Sequence, residues 1–147
     1  MGRILSLDYG QRRVGVAMSD PLKITAQPYT TWKNRSYDAL VHEIRHCINE
    51  FDVELILIGL PLTLRGERGP TAFKVDKFVA YLSAHIDIPV RVWDERLTTV
   101  QAHRVLHSME KKPSQHKAKI DQMASVLLLQ NYLEFLEQSE GAEGEHI

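Results

Sequence analysis

The stretch RILSLDYGQRRVGVAM, residues 3–18, decides the fold of this chain. An apolar run from Ile4 to Leu7 ends at Asp8, a loop over residues 9–12 contains a turn glycine, and the segment from Arg13 to Met18 is rich in valine and alanine. Two apolar runs that are joined by a short loop with a glycine predict a β-hairpin. The first strand of this hairpin therefore carries a carboxylate, Asp8, at its end.

The rest of the chain predicts further strands that alternate with helices. Ile24 to Trp32 is typical of a third strand, and Pro28 inside it favours the edge of the sheet, because proline cannot donate a hydrogen bond to a neighbouring strand. Val53 to Ile58 is apolar throughout, as in a parallel strand that is covered on both faces. The other predicted elements are a helix capped by Ser36, a helix that begins at Pro70 with Phe73 and Phe78 on its buried side, a strand over Pro89–Trp93, a helix from Thr98 or Thr99 to His107, and a final helix over Ile120–Leu136.

This order of elements predicts an α/β protein with a mixed five-stranded sheet flanked by helices. Three antiparallel strands come first, and a β-α-β-α-β alternation follows, in which the helix-linked strands should be parallel with right-handed crossovers. We expect residues 1–137 to form a single domain, since neither an internal repeat nor a linker divides them. We expect residues 138–147 to form a disordered acidic tail, and the polar, basic segment Met109–Lys119 to be mobile.

Composition excludes several classes of protein. The chain has 147 residues and a single cysteine, Cys47, so it cannot form an internal disulfide, which suits a reducing cytoplasm. No apolar run approaches the roughly 20 residues that cross a membrane. We therefore expect a cytoplasmic protein without a membrane partner. The net charge of −1 permits nucleic-acid binding if positive charge is gathered on one face.

Carboxylates stand where the predicted sheet would gather them. Asp8 closes the first strand, Asp94 and Glu95 follow the last strand, and Asp121 opens the final helix. Carboxylates that converge on one point repel one another and therefore need a cation, and hard oxygen ligands favour Mg²⁺ or Mn²⁺. Paired ions of this kind can activate water and stabilise the leaving oxygen of a phosphodiester. From the pattern alone, either Asp94 or Glu95 can supply the middle ligand, and Asp121 can equally be an acid favoured by the helix dipole.

Basic residues stand near these acids along the chain. Gly10 can serve the turn alone, or it can also let a phosphate approach the backbone. Loop arginines and the basic segment before Asp121 are candidates for phosphate contact, with plain solvated surface as the alternative. Such contacts are independent of base sequence and sensitive to salt. The candidates for nucleic-acid binding are Gly10, Arg12, Arg13, Arg65, Arg68, Arg96, Lys111, Lys112, Lys117 and Lys119.

Motifs along the chain resemble those of the YqgF/RuvX family. The opening motif is similar to Asp8-Tyr9-Gly10 with Arg13, Gly15, Val16 and Ala17, and the second to Gly59-Leu60-Pro61-Leu62 with Gly66. The third is similar to Trp93-Asp94-Glu95-Arg96-Leu97-Thr98-Thr99, and the last to Ile120-Asp121, Ala124 and Leu129-Gln130-Asn131-Tyr132-Leu133. The resemblance covers about residues 3–136, and the order of the motifs makes it specific.

The resemblance implies an RNase H-like fold and a metal-dependent nuclease with Mg²⁺ or Mn²⁺ as cofactor. Members of the family are proposed to process the 5′ end of precursor 16S ribosomal RNA and, by likeness to RuvC-type resolvases, to resolve Holliday junctions. Carried over by position, the catalytic and metal-binding acids are Asp8, Glu95 and Asp121, with Asp94 as the second choice for the middle place. Many relatives in this fold carry their second acid at the end of the strand that corresponds to Val53–Ile58, where this chain reads Gly-Leu-Pro-Leu.

The partner implied by the resemblance is structured nucleic acid. Precursor rRNA is favoured over junction DNA, ribosomal precursor particles are further candidates, and the chain is expected to be a monomer or a homodimer. A non-catalytic RNA-binding assembly factor is an alternative function. A nucleotide-binding phosphotransferase is disfavoured, because the related kinases close two such domains on the nucleotide. A Rossmann dehydrogenase is disfavoured because no G-x-G-x-x-G follows the first strand.

Overall fold

The computed structural model describes residues 2–62, 65–95 and 117–145, and in the last range it describes the side chains of residues 119–139. The strands are β1 (Arg3–Tyr9), β2 (Arg13–Ser19), β3 (Ala26–Lys33), β4 (Val53–Leu60) and β5 (Val90–Asp94). The helices of the described ranges are α1 (Tyr37–Phe51), α2 (Pro70–His85) and α3 (Lys117–Glu145). The predicted helix from Thr98 or Thr99 to His107 lies outside the described residues.

The strands form one sheet in the order β3-β2-β1-β4-β5, which confirms the mixed five-stranded sheet predicted from the sequence. β1 and β2 are antiparallel, as are β2 and β3, whereas β4 is parallel to both β1 and β5. β3 lies at the edge, in agreement with Pro28, and its ladder shifts register where Ala17 pairs with that proline. The parallel arrangement brings the carboxyl ends of β1, β4 and β5 to the same edge of the sheet.

The two faces of the sheet are covered by different helices, because side chains alternate along each strand. Leu5 and Leu7 of β1 belong to a core that also contains α1 and α2. Ile4 belongs to a second core on the opposite face, together with Leu129 and Tyr132 of α3. The same alternation places Asp8 on the α3 face.

A buried pair of serines attaches α3 to β1. The Ser125 hydroxyl donates to the carbonyl oxygen of Ser6 at 2.7 Å, and the Ser6 hydroxyl donates to the carbonyl oxygen of Ser125 at 3.1 Å. Both residues are fully buried, so these hydrogen bonds satisfy polar groups that have lost their contact with water. Asp121 lies one helical turn before Ser125 and is therefore held over the same face.

The first two helices begin where the sequence predicts. The Ser36 hydroxyl accepts a hydrogen bond from the backbone N–H of Ala39 at 3.0 Å, and Pro70 opens α2. The prediction that Phe73 is buried is wrong, because it is 55% exposed, whereas Phe78 is buried. The buried stripe of α2 runs through Ala72, Val75, Phe78 and Leu82, and Phe73 lies beside that stripe.

Helix α3 is longer at both ends than its apolar pattern indicates. It begins at Lys117, so Asp121 lies in its second turn and does not open it. It continues to Glu145, so most of the segment predicted as a disordered tail, residues 138–147, is helical. Glutamate, glutamine and alanine favour helix, and a helix that is already formed extends at low cost. None of the helices in the described ranges combines the length and apolar character of a membrane span.

Candidate active site

Asp8 lies in β1 between two glycines on the neighbouring strands. It pairs with Gly15 across the β1–β2 ladder. In the parallel β1–β4 ladder Leu7 pairs with Ile58. Asp8 and Gly59 are the next residues of these two strands, so they lie side by side. Neither glycine has a side chain, which leaves space over the α3 face on both sides of the Asp8 carboxylate. Two further acids predicted from the sequence occupy these spaces.

Gly15 makes room for the backbone of α3. A Cβ atom at Gly15 would lie 2.0 Å from the carbonyl oxygen of Asp121 and 3.0 Å from its Cα, well inside van der Waals contact. Helix α3 therefore rests directly on β2 at this point, and a residue with a side chain would push the two apart. This packing sets the position of the Asp121 main chain relative to β1 and β2.

Gly59 makes room for the side chain of Glu95. A Cβ atom at Gly59 would lie 2.6 Å from Oε1 of Glu95 and 3.1 Å from its Cγ. The Glu95 side chain therefore lies in the space that a side chain at the end of β4 would fill. The carboxylate of the residue that follows β5 thus lies next to the end of β4, which itself carries no acid.

The alternation of side chains distinguishes Glu95 from Asp94. Trp93 of β5 packs against a tyrosine of α3 with ring centroids 5.0 Å apart, so it lies on the α3 face. Asp94 pairs with Leu60, which belongs to the core on the side of α1 and α2. Glu95 stands again on the α3 side, which it shares with Asp8. The structure therefore places Glu95, and not Asp94, on the face that carries Asp8, a choice that the sequence pattern alone leaves open.

The acids affect one another electrostatically. Burial, the charge of Glu95 and the charge of Asp121, in that order, raise the pKa of Asp8 from 3.8 to about 7. Burial and then the charge of Asp94 raise the pKa of Glu95. Asp8 therefore keeps its proton through much of the acidic range unless a cation compensates the neighbouring charges.

Arg13 brings a positive charge to this group of acids. Its Nε donates to Oδ2 of Asp121 at 2.7 Å, which joins the start of β2 to α3. Arg13 stands two residues before Gly15 and therefore lies on the same face of β2. Predicted from the sequence as a nucleic-acid contact, it is in this structure the ion-pair partner of Asp121.

Asn34 holds the loop that joins β1 to β2. Its Nδ2 donates to the carbonyl oxygen of Gly10 at 2.8 Å, and its backbone N–H donates to the carbonyl oxygen of Arg12 at 2.9 Å. A Cβ atom at Gly10 would lie 2.6 Å from the carbonyl oxygen of Arg13, so the turn is also too tight for a larger residue. The sequence pattern does not indicate Asn34, because its partner in the first bond lies 24 positions earlier.

The other residues predicted to bind nucleic acid fall into three groups. Those that are exposed to solvent are Arg12, Arg65 and Lys119. Arg68 is also exposed, but its Nε donates to Oδ2 of Asp76 at 3.0 Å, so a phosphate would have to compete with that carboxylate. Arg96, Lys111 and Lys112 lie outside the described residues, as does the side chain of Lys117.

The acids match a hard divalent cation in ligand type and in charge. Carboxylate oxygens are the ligands that Mg²⁺ and Mn²⁺ prefer, and a cation at Asp8 would relieve the repulsion that raises its pKa. In the part of the chain that the structure describes, no three side chains of His, Cys, Asp or Glu form a group that could hold a metal ion. The fit therefore rests on donor chemistry and on shared position at one face, and Asp8, Glu95 and Asp121 would have to draw closer around an ion.

Comparison with known proteins finds relatives along most of the chain. The model of the RuvX family, described as Holliday junction resolvase, matches residues 2–135. A protein of Roseiflexus sp. (strain RS-1), named "Putative pre-16S rRNA nuclease", is 42% identical over 90% of this chain and 94% of its own length. A protein of Chloroflexus aurantiacus with the same name is 44% identical over 89% of this chain and 86% of its own length.

A solved structure shares the fold. RuvC of Thermus thermophilus, in complex with a Holliday junction substrate, matches with a TM-score of 0.59 over 92% of this chain and 96% of that protein. The two sequences are 12% identical, so the likeness concerns the fold alone. It confirms the RNase H-like architecture predicted from the sequence motifs.

Proposed function

This chain belongs to the RuvX family, and we propose that it is a metal-dependent nuclease that processes the 5′ end of precursor 16S ribosomal RNA. The observation that carries the proposal is the position of Asp8, between two glycines over which Asp121 and Glu95 reach the same face of the sheet. Carboxylates gathered in this way suit phosphodiester hydrolysis with Mg²⁺ or Mn²⁺. The substrate is proposed from the names of the relatives.

Each acid has a distinct proposed part in holding the ion. Asp8, Glu95 and Asp121 would be the ligands, and a bound ion of this kind lowers the pKa of water and stabilises charge on the phosphate oxygens. Asp8 would be ionised in the loaded site, because a neighbouring positive charge favours the carboxylate. Asp121 is positioned through the backbone of α3, whereas Glu95 is positioned through its own side chain over Gly59.

Substrate binding is proposed to depend on phosphate contacts beside Asp8. Arg12 and Lys119 are exposed for such contacts, and Gly10 is half-buried in the loop beside them. Phosphate contacts carry no sequence information, so the choice of the rRNA end would come from RNA shape and from the ribosomal precursor particle that presents it. The buried, unpaired Cys47 suits the cytoplasm, where we place the reaction.

The test is cleavage by the purified full chain, with Mg²⁺, Mn²⁺ or EDTA, of a precursor 16S 5′ fragment and a four-way DNA junction side by side. The wild-type chain should cut the RNA fragment only with metal. Asp8→Asn, Glu95→Gln and Asp121→Asn should each lower kcat/KM at least about 100-fold, or about 2.7 kcal/mol of transition-state stabilisation. Full activity in any of these variants would remove that residue from the proposed site.

Asp94→Asn is the matched control, because it removes the same charge one residue before Glu95 and on the opposite face of β5. We expect it to keep most of the wild-type rate. An inactive Asp94→Asn beside an active Glu95→Gln would make Asp94 the middle acid. RNA binding that persists with EDTA, without cleavage at high protein concentration, would instead indicate a non-catalytic assembly factor.

Holliday junction resolution is a second candidate function, favoured by the description of the family and by the fold shared with RuvC. A resolvase cuts two strands related by a two-fold axis and should therefore act as a symmetric dimer. Paired symmetric cuts in the four-way junction, together with a dimeric mass in sedimentation, would favour resolution over RNA processing. Cleavage of the RNA fragment alone would exclude it.

A further inference from the structure

We propose that Arg13 is a positioning residue that occupies the carboxylate of Asp121 and competes with divalent metal for it. The inference deepens the proposed function and rests on it, since it concerns the same acids. Its basis is the hydrogen-bonded ion pair in which Nε of Arg13 lies 2.7 Å from Oδ2 of Asp121. The guanidinium takes up one lone pair of this oxygen and places a positive charge beside it, so a cation that binds the same carboxylate is repelled unless Arg13 moves away.

Both ends of this ion pair are held by the fold. Asp121 sits where α3 rests on Gly15, and its backbone cannot shift toward β2. Arg13 follows a loop that Asn34 holds through two hydrogen bonds, to Gly10 and to Arg12. The guanidinium is therefore presented to the carboxylate by ordered backbone on both sides, which lowers the entropic cost that weakens most exposed pairs.

The exposure of the pair makes exchange feasible. The side chain of Arg13 is 37% exposed and that of Asp121 is 24% exposed, so water and ions reach the pair. A partly exposed pair is held less strongly than a fully buried one, whose disruption leaves a desolvated charge behind. Arg13 can therefore leave Asp121 without unfolding the strand that carries it.

Competition predicts that loss of Arg13 strengthens metal binding. In Arg13→Gln the Asp121 carboxylate is released for an ion, and Mn²⁺ should bind about fivefold more tightly than in the matched control Arg12→Gln. Arg12 is the adjacent residue and carries the same charge, but it is exposed on the hairpin loop. The difference in Mn²⁺ affinity between the two variants therefore measures the effect of the ion pair, apart from the effect of losing one positive charge.

A double-mutant cycle shows whether the effect passes through Asp121. The gain from Arg13→Gln should disappear in the Asp121→Asn background, because an amide attracts a guanidinium or a cation far less than a carboxylate. Arg13→Lys should bind Mn²⁺ with intermediate strength, since lysine keeps the charge and loses the planar donor. Arg13→Lys also provides a second reading if Arg13→Gln does not fold.

The experiment is calorimetric titration of Mn²⁺ into the full chain without nucleic acid, for the wild type and the variants above, with folding checked by circular dichroism. Tighter binding in Arg13→Gln than in Arg12→Gln, lost in the double variant, supports the proposal. Equal binding in the two single variants, or a gain that survives Asp121→Asn, overturns it. Asp8→Asn tests the metal site independently of Arg13. If this variant binds Mn²⁺ as the wild type does, the proposed metal site itself is wrong, whatever the effect of Arg13→Gln.

Discussion

The two sides of Asp8 are built by different means. On the β2 side, Gly15 admits the main chain of α3, so the position of Asp121 is set by packing between backbones. On the β4 side, the three atoms nearest to a Cβ added at Gly59 all belong to the side chain of Glu95. The position of Asp121 is therefore fixed by packing in the core of the protein, and the position of the Glu95 carboxylate by the conformation of its own side chain.

The two sides also differ in electrostatics. Glu95 raises the pKa of Asp8 more than Asp121 does. On the β2 side, the guanidinium of Arg13 also lies against the Asp121 carboxylate. Mutations on the β2 side should therefore act on folding and on the site together, whereas mutations on the β4 side should act on the site alone.

Gly15→Ala should have the largest effect, because it acts on the packing of α3 against β2. The added methyl group would meet the carbonyl oxygen of Asp121 at 2.0 Å, so α3 must move off the sheet. We expect a loss of about 3 kcal/mol or more in the free energy of unfolding, at the upper end for overpacking, and loss of RNA cleavage with it. Urea unfolding followed by circular dichroism, together with kcat/KM on the RNA fragment, measures both effects.

Gly69→Ala is the control for that substitution, because no atom lies within 4 Å of a Cβ added there. Gly69 is the N-cap of α2, and its replacement should change stability by no more than about 1 kcal/mol. If Gly15→Ala is as mild as Gly69→Ala and still cleaves RNA, the contact between α3 and β2 is not what positions Asp121.

The pKa of Asp8 depends on the acids on both of its sides, Glu95 and Asp121. Its pKa is about 7 in the folded chain and 3.8 ordinarily, so between these values the folded state binds more protons than the unfolded state. Stability of the metal-free protein should therefore fall as the pH rises through this range. Asp8→Asn removes that contribution and should stabilise the metal-free protein by roughly 2 kcal/mol at neutral pH, less than the full pKa difference implies because the carboxyl keeps some contact with water.

The measurement is urea unfolding of the wild type and Asp8→Asn across this pH range, in EDTA and again with Mg²⁺. The wild type should lose stability relative to the variant as the pH rises in EDTA, and Mg²⁺ should reduce the loss, because a bound cation favours the ionised carboxylate. Parallel pH profiles for the two proteins in EDTA would show that the acids around Asp8 do not repel it as the structure indicates.

Gly59→Ala should impair the active site and leave the stability of the fold nearly unchanged. The three atoms nearest to the added methyl group all belong to the Glu95 side chain, whose end can move, so the free energy of unfolding should change by less than about 1 kcal/mol. Displacement of the carboxylate should lower kcat/KM about tenfold, or about 1.4 kcal/mol. Combining Gly59→Ala with Glu95→Gln should add no further loss, and a full additional tenfold loss would mean that the methyl group acts elsewhere.

Much of this arrangement is predictable from the sequence, because it depends on local patterns. The β1–β2 hairpin, the edge position implied by Pro28 and the location of Asp8 follow from apolar runs and turn residues. The side of β5 on which Glu95 stands also follows from alternation, once the phase of that strand is known.

Other features depend on contacts between distant parts of the chain and are not visible in local patterns. The approach of α3 to Gly15 and the bond from Asn34 to Gly10 each join residues that lie far apart in sequence. Phe73 illustrates the same limit, because an apolar residue beside the buried stripe of a helix looks buried when the phase of the helix is unknown.

Ser125→Ala is expected to have the smallest effect, and it tests whether the serine pair helps to position Asp121. It removes the hydroxyl that donates to Ser6 but leaves the contact between Asp121 and Gly15 unchanged. A lost hydrogen bond of this kind costs about 1 kcal/mol, so unfolding in urea should shift modestly while kcat/KM stays within about twofold of the wild type. Ser6→Ala and the double variant measure the coupling between the two serines, which should be positive because each hydroxyl donates to the other residue's carbonyl oxygen. A large loss of cleavage in Ser125→Ala would mean that the serine pair, and not the packing at Gly15, sets the position of Asp121.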